Sequence, residues 1–264
     1  MTTDVSAGRD AVEVRQLVVE HLGASDAVLV VGDGGTAEDG RAGVFLAYTS
    51  SRGAALIDRE LHLPAALIRD RARCRAAEVP DEVGFATRPE QAQVVLARAV
   101  DSGVPFGWVT AGEEYGGAHH LRVWLEKHDV PHVLGTTGSD VLISTSGDRH
   151  TAEELVASVP ASGWHRFADG DEWVRILIRS QWRPGRGHWL LARRDATGVA
   201  HFVCYGPRRS TAADLAHVAS ASRAAQECFR QGGKHRMRSY RAWYTHVTLS
   251  MLASAYVLAA RWAG

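Results

Sequence analysis

The order of the apolar runs is the feature that most limits what this chain can fold into. Three strand-length runs come first, at 27–32, 43–49 and 53–61, and the connections between them are too short to hold a helix. Such runs predict three antiparallel strands in a meander. Beyond residue 87 the pattern changes to helices that alternate with strands. This change predicts an α/β fold with a mixed sheet.

The first helix of the alternating part has clear signals at both ends. Thr87 stands where an N-cap is expected, Glu90 has the capping-box position, and Gly103 comes just past the end. A helix is therefore predicted between Thr87 and Gly103. The next predicted elements are a strand, a helix and a strand, at 106–111, 118–128 and 131–137.

The second half of the chain predicts an insertion followed by helices. Between about 164 and 205, three β-like runs are separated by turn residues, which indicates an antiparallel β insertion. Two helices are expected after it, near 211–230 and 238–262. We therefore expect three parts: the first part of a core, a β-rich insertion, and C-terminal helices that complete the core, at 1–145, 146–207 and 208–264.

Charge and cysteine content limit the partners and the compartment. Thirty basic residues balance thirty acidic ones, so no overall positive field attracts nucleic acid, and we do not expect a nucleic acid partner. The three cysteines, Cys74, Cys204 and Cys228, are odd in number and far apart. This usage favours a reducing compartment, and we expect a cytoplasmic protein.

The most apolar segment lies near the C-terminus. It runs from Val247 to Ala260, about 14 residues, whereas a bilayer-spanning helix needs roughly 20. We therefore expect no membrane anchor. The segment is interpreted as a core helix or as the contact surface of a homo-oligomer.

Two local motifs have a simple structural interpretation. Gly32, Gly34 and Ala37 satisfy G-x-G-x-x-A after a strand, but no helix fits before Gly43, so a dinucleotide site is not favoured. The histidines near 119–132 lack the spacing of a zinc motif. We expect neither a cofactor nor a bound metal.

Three charged residues near the C-terminus share one spacing. Arg223, Glu227 and Lys234 stand at R-x3-E-x6-K, which places them along one face of a continuous helix. An exposed Arg/Glu pair is the simpler interpretation, because such pairs on helix surfaces are common and weak. The basic run 230–241 is either a solvated junction or a phosphate contact.

Several segments of the sequence resemble, in the same order, segments of a known protein family. They are "GVFLAYTSSRGAALIDRELHLP", "RARCRAAEVPDEVGFATRPEQA", "GVPFGWVTAGEEYGG", "LRVWLEKHDVPHVLGTT", "HWLLARRD" and "QECF" with "YRAWYTHVTLSMLA". They resemble the DDE-superfamily transposases of bacterial insertion sequences, in particular the insertion sequence 701 type. The resemblance covers about 10–262 and implies an RNase H-like mixed sheet with a β insertion and C-terminal helices. It also implies that an N-terminal DNA-binding region has been lost by truncation.

The resemblance also implies where catalytic carboxylates would stand. In that family two aspartates and a glutamate hold two divalent metals, which stabilise the attacking and leaving oxygens of phosphodiester cleavage. The family pattern V-V-D-[DE]-T-G aligns its aspartate with Gly32, and W-V-T-A-D-E-x-Y-G aligns its second aspartate with Gly112. Glu227 corresponds to the family glutamate by its spacing. Because side chains alternate across a strand, Asp33 and Glu113 replace the aspartates only where a bulge re-aims them.

These substitutions predict a repurposed protein. We expect a transposase-derived chain that has lost metal-dependent DNA cleavage and acts on a small molecule in the old active-site cleft, as a metal-independent enzyme or as a binder. The alternatives are a non-enzymatic interaction protein or inhibitor that pairs with an active transposase, and, least favoured, a residual nuclease or nucleic acid binder. The candidate site residues are Glu113, Glu114, Glu227, Arg223, Lys234, Asp33 and His119.

Overall fold

A computed structural model describes 5–36, 41–167, 170–179, 183–232 and 239–262 of the chain. The chain forms two compact units. The first unit comprises 1–106 and 223–264, and the second comprises 107–222. Ala37, Lys234 and half of the basic run 230–241 lie outside the described residues.

The first unit is built on the predicted meander, which is confirmed. β1 pairs antiparallel with β2, and β2 pairs antiparallel with β3 through a two-residue turn that ends at Gly53. Gly53 has a φ of 137°, a conformation that favours glycine. The elements of this unit are α1 (Val5–Leu22), β1 (Val28–Thr36), β2 (Ala42–Ser50), β3 (Gly53–His62), α2 (Ala65–Arg69), α3 (Arg71–Ala76), α4 (Arg88–Asp101) and α9 (Tyr240–Trp262).

The boundaries of α4 agree with the sequence prediction. The Thr87 hydroxyl accepts a hydrogen bond from the Glu90 amide, and the Glu90 carboxylate accepts one from the Thr87 amide at 2.7 Å. Gly103 follows the helix with a φ of 66°. Four apolar side chains at helical spacing are buried on α4, and the helix packs on β2 and β3; they are Ala92, Val95, Leu96 and Ala99.

A buried ion network joins three elements of the first unit. Asp58 on β3 has a side chain that is only 1% exposed. Its carboxylate lies 2.8 Å from Nη1 of Arg15 on α1 and 2.9 Å from Nε of Arg98 on α4. Arg98 also reaches Glu60 at 2.7 Å. The network therefore ties α1 and α4 to the sheet.

The second unit contains a mixed sheet. β4 pairs parallel with β5, and β5 pairs antiparallel with β11, which continues through β10 and β9 to β8. The elements are β4 (Trp108–Ala111), α5 (Glu113–Gly116), α6 (His119–Lys127), β5 (His132–Thr136), β6 (Val141–Ile143), β7 (Arg149–Thr151), α7 (Ala152–Ala157), a short 3-10 helix (Ala161–Gly163), β8 (His165–Arg166), β9 (Glu172–Leu177), β10 (Arg186–Asp195) and β11 (Gly198–Pro207). A long helix, α8 (Ala212–Gly232), crosses the boundary between the units in sequence.

The predicted fold class is confirmed. Parallel and antiparallel strands share one sheet in the second unit, and two long helices end the chain, which is compatible with an RNase H-like fold. The β-like runs of the expected insertion continue the sheet that contains β4 and β5, because β11 pairs directly with β5. The three-part division of the chain stays a prediction.

The structure bears on two sequence patterns, the glycine motif after the first apolar run and the apolar segment near the C-terminus. Gly32 and Gly34 lie inside β1, which extends to Thr36, so the glycines do not open a helix within the described residues. Among the helices of the described part of the chain, none is long and apolar enough to cross a membrane. On α9 three large apolar side chains are nevertheless exposed, namely Leu249, Tyr256 and Val257.

Candidate functional site

In the first unit, Gly32 faces an aromatic ring. A β-carbon built on Gly32 would lie 2.5 Å from Cε2 of Phe229 and 2.8 Å from its Cδ2 and Cζ. Real side chains do not approach this closely, so the Phe229 ring fills the space that any side chain at Gly32 would need. Phe229 itself is buried, 8% exposed. A carboxylate at position 32 therefore requires that α8 or the ring moves.

Asp33 is directed away from the face of Gly32. β1 and β2 keep a regular register at this point, with Gly32 opposite Phe45 and Asp33 opposite Val44. The irregularity lies further along, between Gly34 and Thr36, so no bulge re-aims Asp33. Alternating side chains then place Asp33 on the opposite face of the strand. Its carboxylate lies 3.4 Å from Nη1 of Arg88.

Glu227 is an exposed residue of α8. Its carboxylate accepts hydrogen bonds from Nε of Arg230 at 2.6 Å and from Nε2 of Gln231 at 2.7 Å. The Glu227 side chain is 54% exposed. Arg223 is also exposed on the same helix. The predicted partner Lys234 lies outside the described residues.

In the second unit, Gly112 stands at the end of β4 and caps the short helix α5. Its φ of −70° and ψ of 178° are accessible to any residue. A β-carbon at Gly112 would meet no atom within 4 Å. The two glycines predicted to replace aspartates are thus in opposite situations: the space beside Gly32 is filled and the space beside Gly112 is open.

Two other glycines bring α5 close to β5. A β-carbon at Gly135 would lie 2.8 Å from the Glu113 amide nitrogen and 3.0 Å from the Gly112 carbonyl carbon. A β-carbon at Gly116 would collide with the Gly135 carbonyl. This backbone approach fixes the start of α5 against the end of β5, and so positions Glu113.

A cleft of about 810 Å³ opens at this point in the second unit. Its lining comes from the ends of β4 and β5, the segment after β5, α7, Trp164, and the strands β10 and β11. The described lining residues are Gly112, Glu113, Gly135, Thr136, Thr137, Gly138, Glu153, Val156, Ala157, Val159, Trp164, Arg194, Val199, Ala200, His201 and Phe202. Of the predicted site residues in this unit, Glu113 lines the cleft, whereas Glu114 and His119 do not.

The ionisable groups in the described lining of the cleft are Glu113, Glu153, Arg194 and His201. Burial lowers the pKa of His201 below its ordinary value, although the charges of Glu153 and Glu113 act in the opposite direction. Both carboxylates are therefore close enough to His201 to influence its protonation. His201 Nε2 is buried and has no hydrogen-bond partner among the described residues. A neutral imidazole beside two carboxylates can accept or donate a proton.

Arg194 forms one wall of the cleft and is already engaged. Its Nη2 lies 2.7 Å from Oε2 of Glu172. Its guanidinium also stacks over Trp164, with the guanidinium carbon 4.3 Å from the ring centroid. The hydrogen bond from Arg194 is the largest cause, and that from Arg166 the next, of a pKa of the Glu172 carboxyl below its usual value.

Glu153 and His201 are not among the residues predicted from the sequence. Thr151 and Glu154 form a capping box, which is a recognisable helix start. This motif places Glu153 in the first turn of α7. His201 is a polar residue within a β-like run. Neither signal indicates that the two side chains line the same cleft as Glu113. His201 reaches it through the pairing of β11 with β5, and Glu153 is held by the hydrogen bond from its amide to the Gly138 carbonyl.

The two metals that the family resemblance implies are not matched by the donor groups. No group of three or more His, Cys, Asp or Glu side chains that could hold a metal ion occurs within the described ranges. The Phe229 ring also fills the space beside Gly32. The residues described here therefore do not fit a two-metal centre, and we derive no chemical step through one.

Part of the chain matches the model of a known protein family. Residues 25–154 match the model of a family described as DDE superfamily endonuclease. The match supports a DDE transposase-like family. It covers Gly32, Gly112, Glu113 and Glu153, whereas His201 lies beyond it. The narrower insertion sequence 701 type stays a prediction, and no curated protein matches the chain.

Proposed function

We propose that this chain is a transposase-derived protein that has lost metal-dependent DNA cleavage and binds or transforms a small molecule in the cleft of its second unit. The observation that carries the loss of cleavage is the Phe229 ring beside Gly32. Two-metal cleavage needs carboxylates that clamp both ions. Gly32 has no carboxylate, and the Phe229 ring fills the space in which one would stand.

The cleft supports the small-molecule part of the proposal. Its volume of about 810 Å³ falls within the range of roughly 300–1,000 Å³ that is usual for ligand pockets. Most of the lining is apolar or small, and a few ionisable groups converge on it, as in ordinary ligand sites. Glu113, Glu153 and His201 provide acid and base groups without a metal.

The loss of cleavage is tested with supercoiled plasmid DNA. We expect no nicking by the full chain in the presence of Mg²⁺ or Mn²⁺, at protein concentrations well above that of the DNA. The same assay on Glu227→Gln is the matched control. If Glu227 is a metal ligand, its replacement abolishes any nicking that the wild type shows. Metal-dependent nicking that disappears in Glu227→Gln would contradict the proposal.

The small-molecule site is tested by screening a library of fragments of mixed charge by ligand-observed NMR. We expect hits that Gly138→Phe removes, because the β-carbon position of Gly138 faces Glu153 and His201 at 3.4 Å and a large side chain there would block the cleft. Hits that are unchanged in a folded Gly138→Phe variant would argue against this cleft.

A second candidate, an interaction protein, is favoured by the exposed apolar residues of α9. Leu249 is 60% exposed, and Tyr256 and Val257 are each 56% exposed. Exposed large apolar side chains on one helix are typical of contact surfaces. Sedimentation of the purified chain tests this candidate: self-association that Leu249→Glu abolishes supports it, and a monomer at high concentration contradicts self-association.

A further inference from the structure

The charge of the cleft limits what it can bind. Glu113 and Glu153 line it, and neither carboxylate makes a hydrogen bond or an ion pair within the described residues. Arg194 is the cation of the described lining, and Glu172 already pairs with it at 2.7 Å. His201 does not offset the carboxylates at neutral pH, because burial lowers its pKa. The cleft therefore presents about two uncompensated negative charges.

The apolar part of the cleft lies beside these charges. The side chains of Val156, Val159, Val199 and Phe202 form part of the lining. A ligand that fills the cleft thus meets both carboxylates and hydrocarbon. This arrangement fits an organic cation with an apolar body better than an inorganic ion.

The aromatic rings of the cleft favour one type of organic cation. A quaternary ammonium group is usually bound over free aromatic faces. Here one face of the Trp164 ring is occupied by the Arg194 guanidinium, and Phe202 contacts the Trp173 ring at 6.0 Å between centroids. A primary ammonium group instead donates hydrogen bonds, which two free carboxylates can accept.

From this geometry we infer that the cleft selects a primary ammonium compound with an apolar body, bound through Glu113 and Glu153 beside His201. The inference rests on the proposed small-molecule function of the same cleft. It assigns the chemical class of the ligand, and it places the imidazole of His201 next to the bound ammonium group.

Three probes of the same shape and different charge test the inference by isothermal titration calorimetry on the full chain. They are 3-phenylpropylammonium, 3-phenylpropanol and 3-phenylpropionate. We expect the ammonium probe to bind at least tenfold more tightly than the alcohol, and the carboxylate probe to bind least. Glu113→Gln and Glu153→Gln should each weaken the ammonium probe by about tenfold, since one charge-assisted hydrogen bond is lost in each. They should leave the alcohol unchanged.

Glu20→Gln is the matched control, because it removes the same charge from an exposed position on α1 in the other unit. It should leave all three affinities unchanged. Tighter binding of the alcohol or the carboxylate probe would overturn the inference and leave the small-molecule function standing. Failure of all three probes to bind would count against both. Displacement of the ammonium probe by micromolar Mn²⁺ would also overturn the inference, because the site would then prefer a metal.

Discussion

The ring of Phe229 fills the space that a side chain at Gly32 would need. A β-carbon at Gly32 would lie 2.5 Å from the ring, while the equivalent β-carbon at Gly112 would meet no atom within 4 Å. The two glycines look alike in the sequence, since each follows a buried strand run. Their surroundings differ, so the same substitution should have opposite consequences at the two positions.

Gly32→Asp should destabilise the protein. The new side chain would overlap the Phe229 ring, and overpacking of this kind costs about 1–3 kcal/mol. Urea unfolding of Gly32→Asp, Phe229→Ala and the double variant measures the coupling between the two positions. We expect the double variant to be more stable than the sum of the single effects by about 1 kcal/mol or more. Additive effects would mean that the ring does not compete with the aspartate.

Gly112→Asp should leave stability nearly unchanged. The φ of −70° and ψ of 178° suit an N-cap residue, and aspartate is a preferred N-cap. Exchange of glycine for aspartate at an N-cap changes stability by only about a few tenths of a kcal/mol. The same urea measurement serves here, and a loss above about 1 kcal/mol would show that the open space is not available to a side chain. Neither this variant nor Gly32→Asp alone should gain DNA nicking.

Local signals in the sequence predict part of this fold. The short apolar runs give the meander, and Thr87 with Glu90 gives the start of α4, because these signals act between near neighbours. The sequence also directs attention to Gly32 and Gly112. It does not indicate that one is filled and the other open, since Phe229 comes from a distant helix.

The residues of the cleft show the same limit. Glu113 is adjacent to Gly112 and was predicted, whereas Glu153 and His201 come to it from α7 and β11. His201 comes to the cleft through the pairing of β11 with β5, and Glu153 through the bond from its amide to the Gly138 carbonyl. Asp58 is a comparable case, because a charged residue on a predicted strand suggests an exposed face until its arginine partners are known.

Asp58→Asn should be strongly destabilising. The substitution would leave Arg15, which is 6% exposed, without its buried counter-charge, and would remove the contact to Arg98. Breaking a buried ion pair in this way costs about 3–5 kcal/mol. The exposed pair of Arg71 and Asp81, 2.7 Å apart, provides the control. Asp81→Asn should cost less than about 1 kcal/mol in the same urea unfolding experiment, and equal losses for the two variants would contradict a stabilising role for the buried network.

The stability of the second unit should fall on acidification, because His132 is buried in its neutral form. Burial lowers the pKa of His132 to about 4, while a hydrogen bond to the Val130 carbonyl and the charge of Glu126 oppose the shift. His188 and Arg122 also face it and act in the same direction as burial.

A histidine whose pKa is depressed in the folded state binds its proton more readily in the unfolded state. Its contribution is therefore complete above the ordinary pKa of about 6.5 and is lost as the pH falls towards 4, at up to about 1.4 kcal/mol per pH unit. Urea unfolding at pH 7, 6 and 5 should show this slope in the wild type and a shallower one in His132→Gln. His120→Gln, at an exposed position on α6, should keep the wild-type slope. If His132→Gln also keeps the wild-type slope, the loss of stability at low pH arises from other groups and not from the buried neutral His132.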